Sequence, residues 1–204
     1  MPVPAPVLYP PFNILRLSHV EYRVTDLARS RAFYVDTLGL QVTHEDDETI
    51  YLRAMEERGH HCIVLRLAEK ADVGVLGFKL FDEPDFEKAE AFFRRKNVPV
   101  KIIERPFIGK VLRTRDPWGI PLEFYVRMDR LPVITQEYAL YRGVKPLRID
   151  HFNMFSADVD AAVAFYTEMG FRTTEYTEDE ETGKVWAASA PKTLNGAGVA
   201  RCRW

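Results

Sequence analysis

Cysteine is scarce in this chain. Only Cys62 and Cys202 occur among 204 residues, so neither a disulfide framework nor a cysteine-based metal cluster can be drawn, and a reducing cytoplasm is the expected compartment. An excess of either charge is also missing. Lys and Arg number 28 against 30 Asp and Glu, giving a net charge of −2 and a pI near 6.2. No basic stripe with interleaved aromatics appears, which argues against nucleic acid as a partner. No apolar run approaches the ~20 residues needed to cross a bilayer, so no membrane association is expected. The opening MPVPAPVLYPPF holds five of the thirteen prolines and has neither a charged start nor a continuous apolar stretch. It reads as an extended arm over residues 1–12 and not as a signal peptide.

What the chain does have is an internal repeat. His19 opens HVEYRVTDLARSRAFYVDTLGL and His151 opens HFNMFSADVDAAVAFYTEMGF. In each, an Asp follows the His by seven positions (Asp26, Asp158), an Ala-Phe-Tyr triplet begins thirteen positions on, and a glycine closes the unit (Gly39, Gly170). Such repetition sets the architecture before any local reading. The unit reads as a strand, a helix capped by Asp, and a left-handed glycine stop. Leu27, Tyr34, Val35 and Leu38 form one apolar face in the first copy, and Val159, Ala162, Val163, Tyr166 and Met169 form it in the second.

Along the chain the unit recurs as modules of order βαβββ. The first runs from a strand near Leu17 through GLQVTHE, ETIYLRAM and HHCIVLRL. The second takes VGVLGFKLFD, a helix in EPDFEKAEAFFRRKN with Phe86, Ala89 and Phe93 inward, then VPVKIIER, GKVLRTRD and IPLEFYVR. The third starts at LRIDHFNMF and continues through FRTTEYTED, KVWAASA and GVARCRW. The fold class expected is α+β: two modules paired as a half-open barrel over residues 13–127, a connector over 128–146, and an incomplete or unpaired third module over 147–204.

Several segments resemble the vicinal oxygen chelate superfamily, and within it the extradiol ring-cleaving dioxygenases of the homoprotocatechuate type. They are ILRLSHVEYRVTDLARSRAFYVDTLGL, TIYLRAMEERGHHCIVL, RTRDPWGIPLEFY, YALY and LRIDHFNMFSADV. The resemblance implies four modules, non-haem Fe(II) (with Mn(II) as the alternative ion), and O2 insertion into a small aromatic diol beside its hydroxyls. It implies a facial triad of two His and one Glu. His151 matches the first of these ligands and Asn153 a residue that helps hold bound oxygen. The other two ligands and the acid–base His have no counterpart here, so the chain reads as C-terminally shortened and catalytically incomplete.

The same resemblance directs attention to the N-terminal pair. Superfamily metal sites draw on first and last strands of paired modules, and His19, His61 and Glu123 occupy three such places, with Gly77 or an apolar residue at the fourth. Two readings stand: a metal site of glyoxalase or resistance-protein kind, or a vestigial polar cluster in which Glu123 hydrogen-bonds His19. His60 should point to the opposite face of its strand and be solvated. His44, amid Glu45, Asp46 and Asp47, should lie in a solvated loop, and Asp116-Pro117-Trp118-Gly119 should form a tight turn. Three functions remain open: extradiol cleavage by lineage, a glyoxalase-like N-terminal module, or a non-catalytic remnant. An unpaired third module would leave an apolar face and an open edge, so a homodimer or larger homo-oligomer through that module is expected.

Overall fold

The computed structural model describes residues 3–191 and 199–202. Two sheets organise them. The first has eight strands: β1 (Ile14–Val24), β2 (Gln41–Glu45), β3 (Thr49–Arg53), β4 (Ile63–Leu67), β5 (Asp72–Leu80), β6 (Lys101–Arg105), β7 (Gly109–Arg115) and β8 (Pro121–Tyr125), in the order β2-β3-β4-β1-β5-β8-β7-β6. The second has four: β9 (His151–Met154), β10 (Glu175–Glu178), β11 (Val185–Pro191) and β12 (Val199–Cys202), in the order β10-β11-β12-β9. This is the α+β architecture of three βαβββ modules. The third module is complete in its four strands, and β12 closes it parallel to β9, as β4 lies parallel to β1 in the first. Parts of SAPKTLNGAGVARCRW, where the family resemblance fades, lie outside the described residues.

Each helix follows the local chemistry. The Asp26 side chain accepts from Arg29 N at 2.8 Å, and Asp158 from Ala161 N at 2.9 Å, so both expected caps are made. Gly39 and Gly170 stop their helices at φ of 85° and 87°. The first helix departs from the expected form: α1 (Leu27–Arg31) widens into a π-helix over Ala32–Thr37. Leu27, Tyr34 and Val35 nevertheless pack on a core of Leu40, Ile50, Leu52 and Leu65. In α2 (Glu83–Arg95) Phe86, Ala89 and Phe93 are inward as expected, with Phe92 beside them.

The chain forms two compact units. One holds the described residues of Met1–Leu17, Lys79–Val100 and Asp150–Trp204, the other Ser18–Phe78 and Lys101–Ile149. In the first, the arm is anchored: Phe12 is buried against Phe92 and Phe93, and Val3 joins Val159, Val163 and Val185 of the third module. In the second, the connector is strapped down. Val144 N donates to Thr37 O at 3.2 Å, Lys145 N to Leu38 O at 2.9 Å, and Glu56 N to Leu147 O at 2.8 Å. The strap runs so close to Gly39 that a Cβ there would collide with the Arg142 carbonyl. Among the described residues no helix is long and apolar enough to cross a membrane.

Candidate functional site

Alternation along β1 sends His19 and Glu21 to one face of the sheet, and both are buried, at 0% and 3% exposure. Two glycines on β5 make room for them. A Cβ on Gly77 would run into the His19 ring, and one on Gly74 would come within 2.6 Å of Glu21 Oε1. The fourth place beside the three candidate ligands is therefore a glycine that receives the imidazole.

From β8, Glu123 meets His19, whose Nε2 donates to Oε1 at 3.1 Å. The other carboxylate oxygen is also engaged: Arg113 Nε of β7 donates to Oε2 at 2.8 Å, and Arg105 Nε of β6 lies 3.7 Å away. Arg105 bridges onward to Glu21 Oε2 at 2.6 Å, and Arg66 reaches Glu21 Oε1 at 3.5 Å. Burial alone would raise the Glu123 carboxyl. The hydrogen bond from His19 and the two guanidiniums overcome it and hold the group at about 2. Glu21 is likewise lowered, Arg105 and Arg66 outweighing its burial.

His61 stands beside this pair, its ring centre 5.3 Å from that of His19. Burial, reinforced by His19, His60 and Arg105, lowers its pKa to about 2, so the imidazole is neutral. Its Nδ1 faces Nδ1 of His60 at 3.2 Å, which requires one ring to donate and the other to accept. Nε2 of His61 and Nδ1 of His19 are buried without a hydrogen-bond partner.

His60 corrects the sequence reading. It is buried, at 5% exposure, and lies flat on Phe107 with centres 3.7 Å apart. The alternation rule fails because β4 begins only at Ile63; His60 belongs to a loop bridged to the connector, its N–H bonded to Asp129 O at 2.8 Å. His44 is exposed as expected, though on β2 and not in a loop. The Asp116 turn forms as expected: Oδ1 accepts from Trp118 N at 3.0 Å and Ile120 N at 2.8 Å, with Gly119 at φ 87°.

The sequence reading missed Glu21, Arg105, Arg113 and Arg66. The signal was available, since charged residues at inward strand positions demand partners of opposite sign.

These contacts decide how far a metal fits. Glu123 is saturated by one imidazole and two guanidiniums, and a dication at its oxygens would meet the arginines' positive charge. Among the described residues, no group of three or more His, Cys, Asp and Glu side chains is placed to hold a metal ion. The third module has His151 and Asn153 together on β9. His151 Nδ1 meets Asp150 Oδ2 at 3.0 Å, and Asn153 is exposed. One imidazole and one carboxamide do not make a facial triad.

The family model of the Glyoxalase/Bleomycin resistance protein/Dioxygenase superfamily matches residues 16–124 and 148–197. The chain belongs to this superfamily. Its relatives are extradiol dioxygenases. A metapyrocatechase of Pseudomonas sp. (strain CF600) is 26% identical over 189 residues, covering 85% of this chain and 60% of the relative. A manganese-dependent 2,3-dihydroxybiphenyl 1,2-dioxygenase of Geobacillus genomosp. 3 is 27% identical, covering 80% and 56%. Among solved structures, homoprotocatechuate 2,3-dioxygenase of Arthrobacter globiformis superposes with a TM-score of 0.90 at 35% identity, covering 98% of this chain and 62% of the other. The Brevibacterium fuscum enzyme in complex with 3,4-dihydroxyphenylacetate gives 0.90 at 34% identity, covering 98% and 63%. The chain thus spans 56–63% of the length of these relatives.

Proposed function

We propose that this superfamily member is an extradiol catechol dioxygenase by lineage. In this reading β9 contributes His151 as one metal ligand and Asn153 beside the oxygen position, in a site whose other two ligands have no counterpart among the 204 residues. The metal is Fe(II), with Mn(II) as substitute, the substrates are O2 and a vicinal aromatic diol resembling 3,4-dihydroxyphenylacetate, and the setting is the cytoplasm, where the buried thiol of Cys62 stays reduced. The observation that carries the reading is the His-Phe-Asn strand at the opening of the third module, within a chain that superposes over 98% of its length on a homoprotocatechuate 2,3-dioxygenase. Copies of the chain associate through the third module.

Ring-cleavage assays test this. The 204-residue chain, loaded anaerobically with Fe(II) and then given air and 3,4-dihydroxyphenylacetate, is expected to yield no more than one product per chain. Fusion to a fourth βαβββ module from the Arthrobacter globiformis relative should give sustained cleavage, abolished by His151→Ala. Turnover by the chain alone, or a folded fusion inert toward catechols, overturns the reading.

The two orphaned imidazole nitrogens of His19 and His61 favour a second reading, a glyoxalase-like metal site with Glu123. Metal retained by wild type and by His151→Ala, but lost by the His61→Ala, Glu123→Ala double variant, would select it.

A further inference from the structure

Two nearly enclosed arginines of the N-terminal modules differ in what surrounds them. The Arg105 side chain is 9% exposed and has two carboxylates, Glu21 at 2.6 Å and Glu123 at 3.7 Å. Burial pulls its pKa down, but the two acids outweigh it and the value is raised. Arg53 of β3 is 7% exposed and has no acid beside it among the described residues. Burial lowers its pKa and nothing opposes the shift. A guanidinium keeps its proton in a protein, so the charge stays, and a buried charge without a counter-charge is destabilising.

The contacts of Arg53 show which part of it lacks a partner. Nη1 donates to Pro132 O at 2.8 Å, the one hydrogen bond of this side chain among the described residues. Nε is buried without an acceptor. What stays free is the edge formed by Nε and Nη2, whose two parallel N–H groups match the oxygens of a carboxylate.

Its neighbours supply no substitute. Tyr51, two residues back on the same face of β3, is engaged by the rings of His60, His61 and Phe107. Burial disfavours a charge on His60, and Arg53 adds to this against the pull of Asp129. The carboxylate of Asp129 thus acts on the imidazole and leaves Arg53 uncompensated. Pro132, which holds Nη1, belongs to residues 131–134, in no helix or strand, and is exposed together with Val133. A stretch without ladder hydrogen bonds can give way to a ligand more easily than a strand can.

We propose that Arg53 anchors a binding site for a small organic carboxylate, gripped side-on by Nε and Nη2 while Nη1 stays on Pro132. One uncompensated cation calls for one negative charge, which a carboxylate supplies and a phosphate dianion exceeds. A planar anion also uses both parallel donors at once, as a spherical halide cannot. The site goes beyond the ring-cleavage reading. It lies in the N-terminal pair of modules and uses neither His151 nor Asn153, so its failure would leave the ring-cleavage assays untouched.

Titration of the whole chain with acetate at constant ionic strength provides the test, read at the Nε–H resonance of Arg53 in proton–nitrogen NMR spectra, with chloride and inorganic phosphate as comparison probes. A saturable shift with acetate is expected, at least tenfold tighter than with either of the others. Acetate should also raise the unfolding midpoint of the wild type relative to chloride. That rise should vanish in Arg53→Met, which keeps the stem without the charge, and shrink in Arg53→Lys, which keeps the charge without the paired donors. Circular dichroism checks that each variant is folded, and if Arg53→Met is not, the wild-type titration decides. Absence of a saturable shift overturns the proposal, as does a response to chloride or phosphate as strong as that to acetate. So does an acetate response that survives intact in folded Arg53→Met or Arg53→Lys.

Discussion

His19 and His151 occupy the same slot of a repeated strand and live in opposite surroundings. His19 is sealed at 0% exposure, bonded to Glu123 and laid over a glycine of the neighbouring strand. His151 sits on a strand that is terminal in its sheet among the described residues, with 34% of its side chain exposed, and meets Asp150. The strand alongside makes the difference. Where β5 lies next to β1, the slot becomes part of an ion-paired core. Where β9 has a neighbour on one side only among the described residues, the same residue type stays partly exposed. Duplication copied the position of the histidine, and the neighbour decided its role.

The largest effect should come from breaking the sealed side. Glu123→Ala would strand Arg105 and Arg113, whose side chains are 9% and 31% exposed, without their shared carboxylate. Removing one partner of a buried pair typically costs about 3–5 kcal/mol, and urea unfolding should show a loss of that order. An unchanged midpoint would mean that the cluster is not structural, which erases the contrast with His151.

Next in size is Gly77→Ala. Its methyl group would occupy the space of the His19 ring, and such overpacking costs about 1–3 kcal/mol. The double variant with His19→Ala sharpens the point, because deleting the ring opens the space the methyl needs. The two changes should be non-additive, with the double variant more stable than the sum of the singles implies. Strict additivity would say that the glycine is not there for the histidine.

The caps at Asp26 and Asp158, the glycine stops and the module order were legible in the sequence because each rests on local chemistry: a carboxylate beside free N–H groups, a position with positive φ, an apolar period. The pairing of His19 with Glu123 was legible as one of two readings. The π-helical turn over Ala32–Thr37 was not, since no residue type marks it. Nor was the burial of His60, which depends on Phe107 and the connector, distant in sequence. The arginines around Glu123 went unread for a related reason. Strand alternation says which residues share a face, whereas pairing Arg105 with both Glu21 and Glu123 requires knowing that β6, β1 and β8 converge.

A smaller and gradual effect should appear with pH. His61 has an ordinary value of 6.5 and a folded value of about 2, so below 6.5 the unfolded chain takes up a proton that the folded chain refuses. Stability is therefore fully present above that pH and falls as acidity increases, by at most about 1.4 kcal/mol per pH unit for one group. His60, also lowered, adds to the slope in the same window. Glu123 and Glu21, both depressed, extend the loss below the ordinary carboxylate value of 4.5. Replacing His61 with Asn should flatten the profile just below 6.5 while leaving the more acidic limb in place. A profile unchanged in the upper window would show that His61 is protonated in the folded chain, contrary to its sealed surroundings.

The smallest effect belongs to the partly exposed histidine. His151 touches Asp150 at a surface where both side chains are substantially exposed, 34% and 58%, and exposed ion pairs contribute about 0–1 kcal/mol. His151→Ala should therefore shift the unfolding free energy of the monomeric chain by less than about 0.5 kcal/mol, whereas His19→Ala removes a partner from a buried carboxylate and should cost several times more. The comparison must be made at a concentration where copies do not associate, because any association would add its own contribution. If the two alanine variants lose equal stability when dilute, the slot is structural in both modules, and His151 loses its standing as the residue free to serve a site.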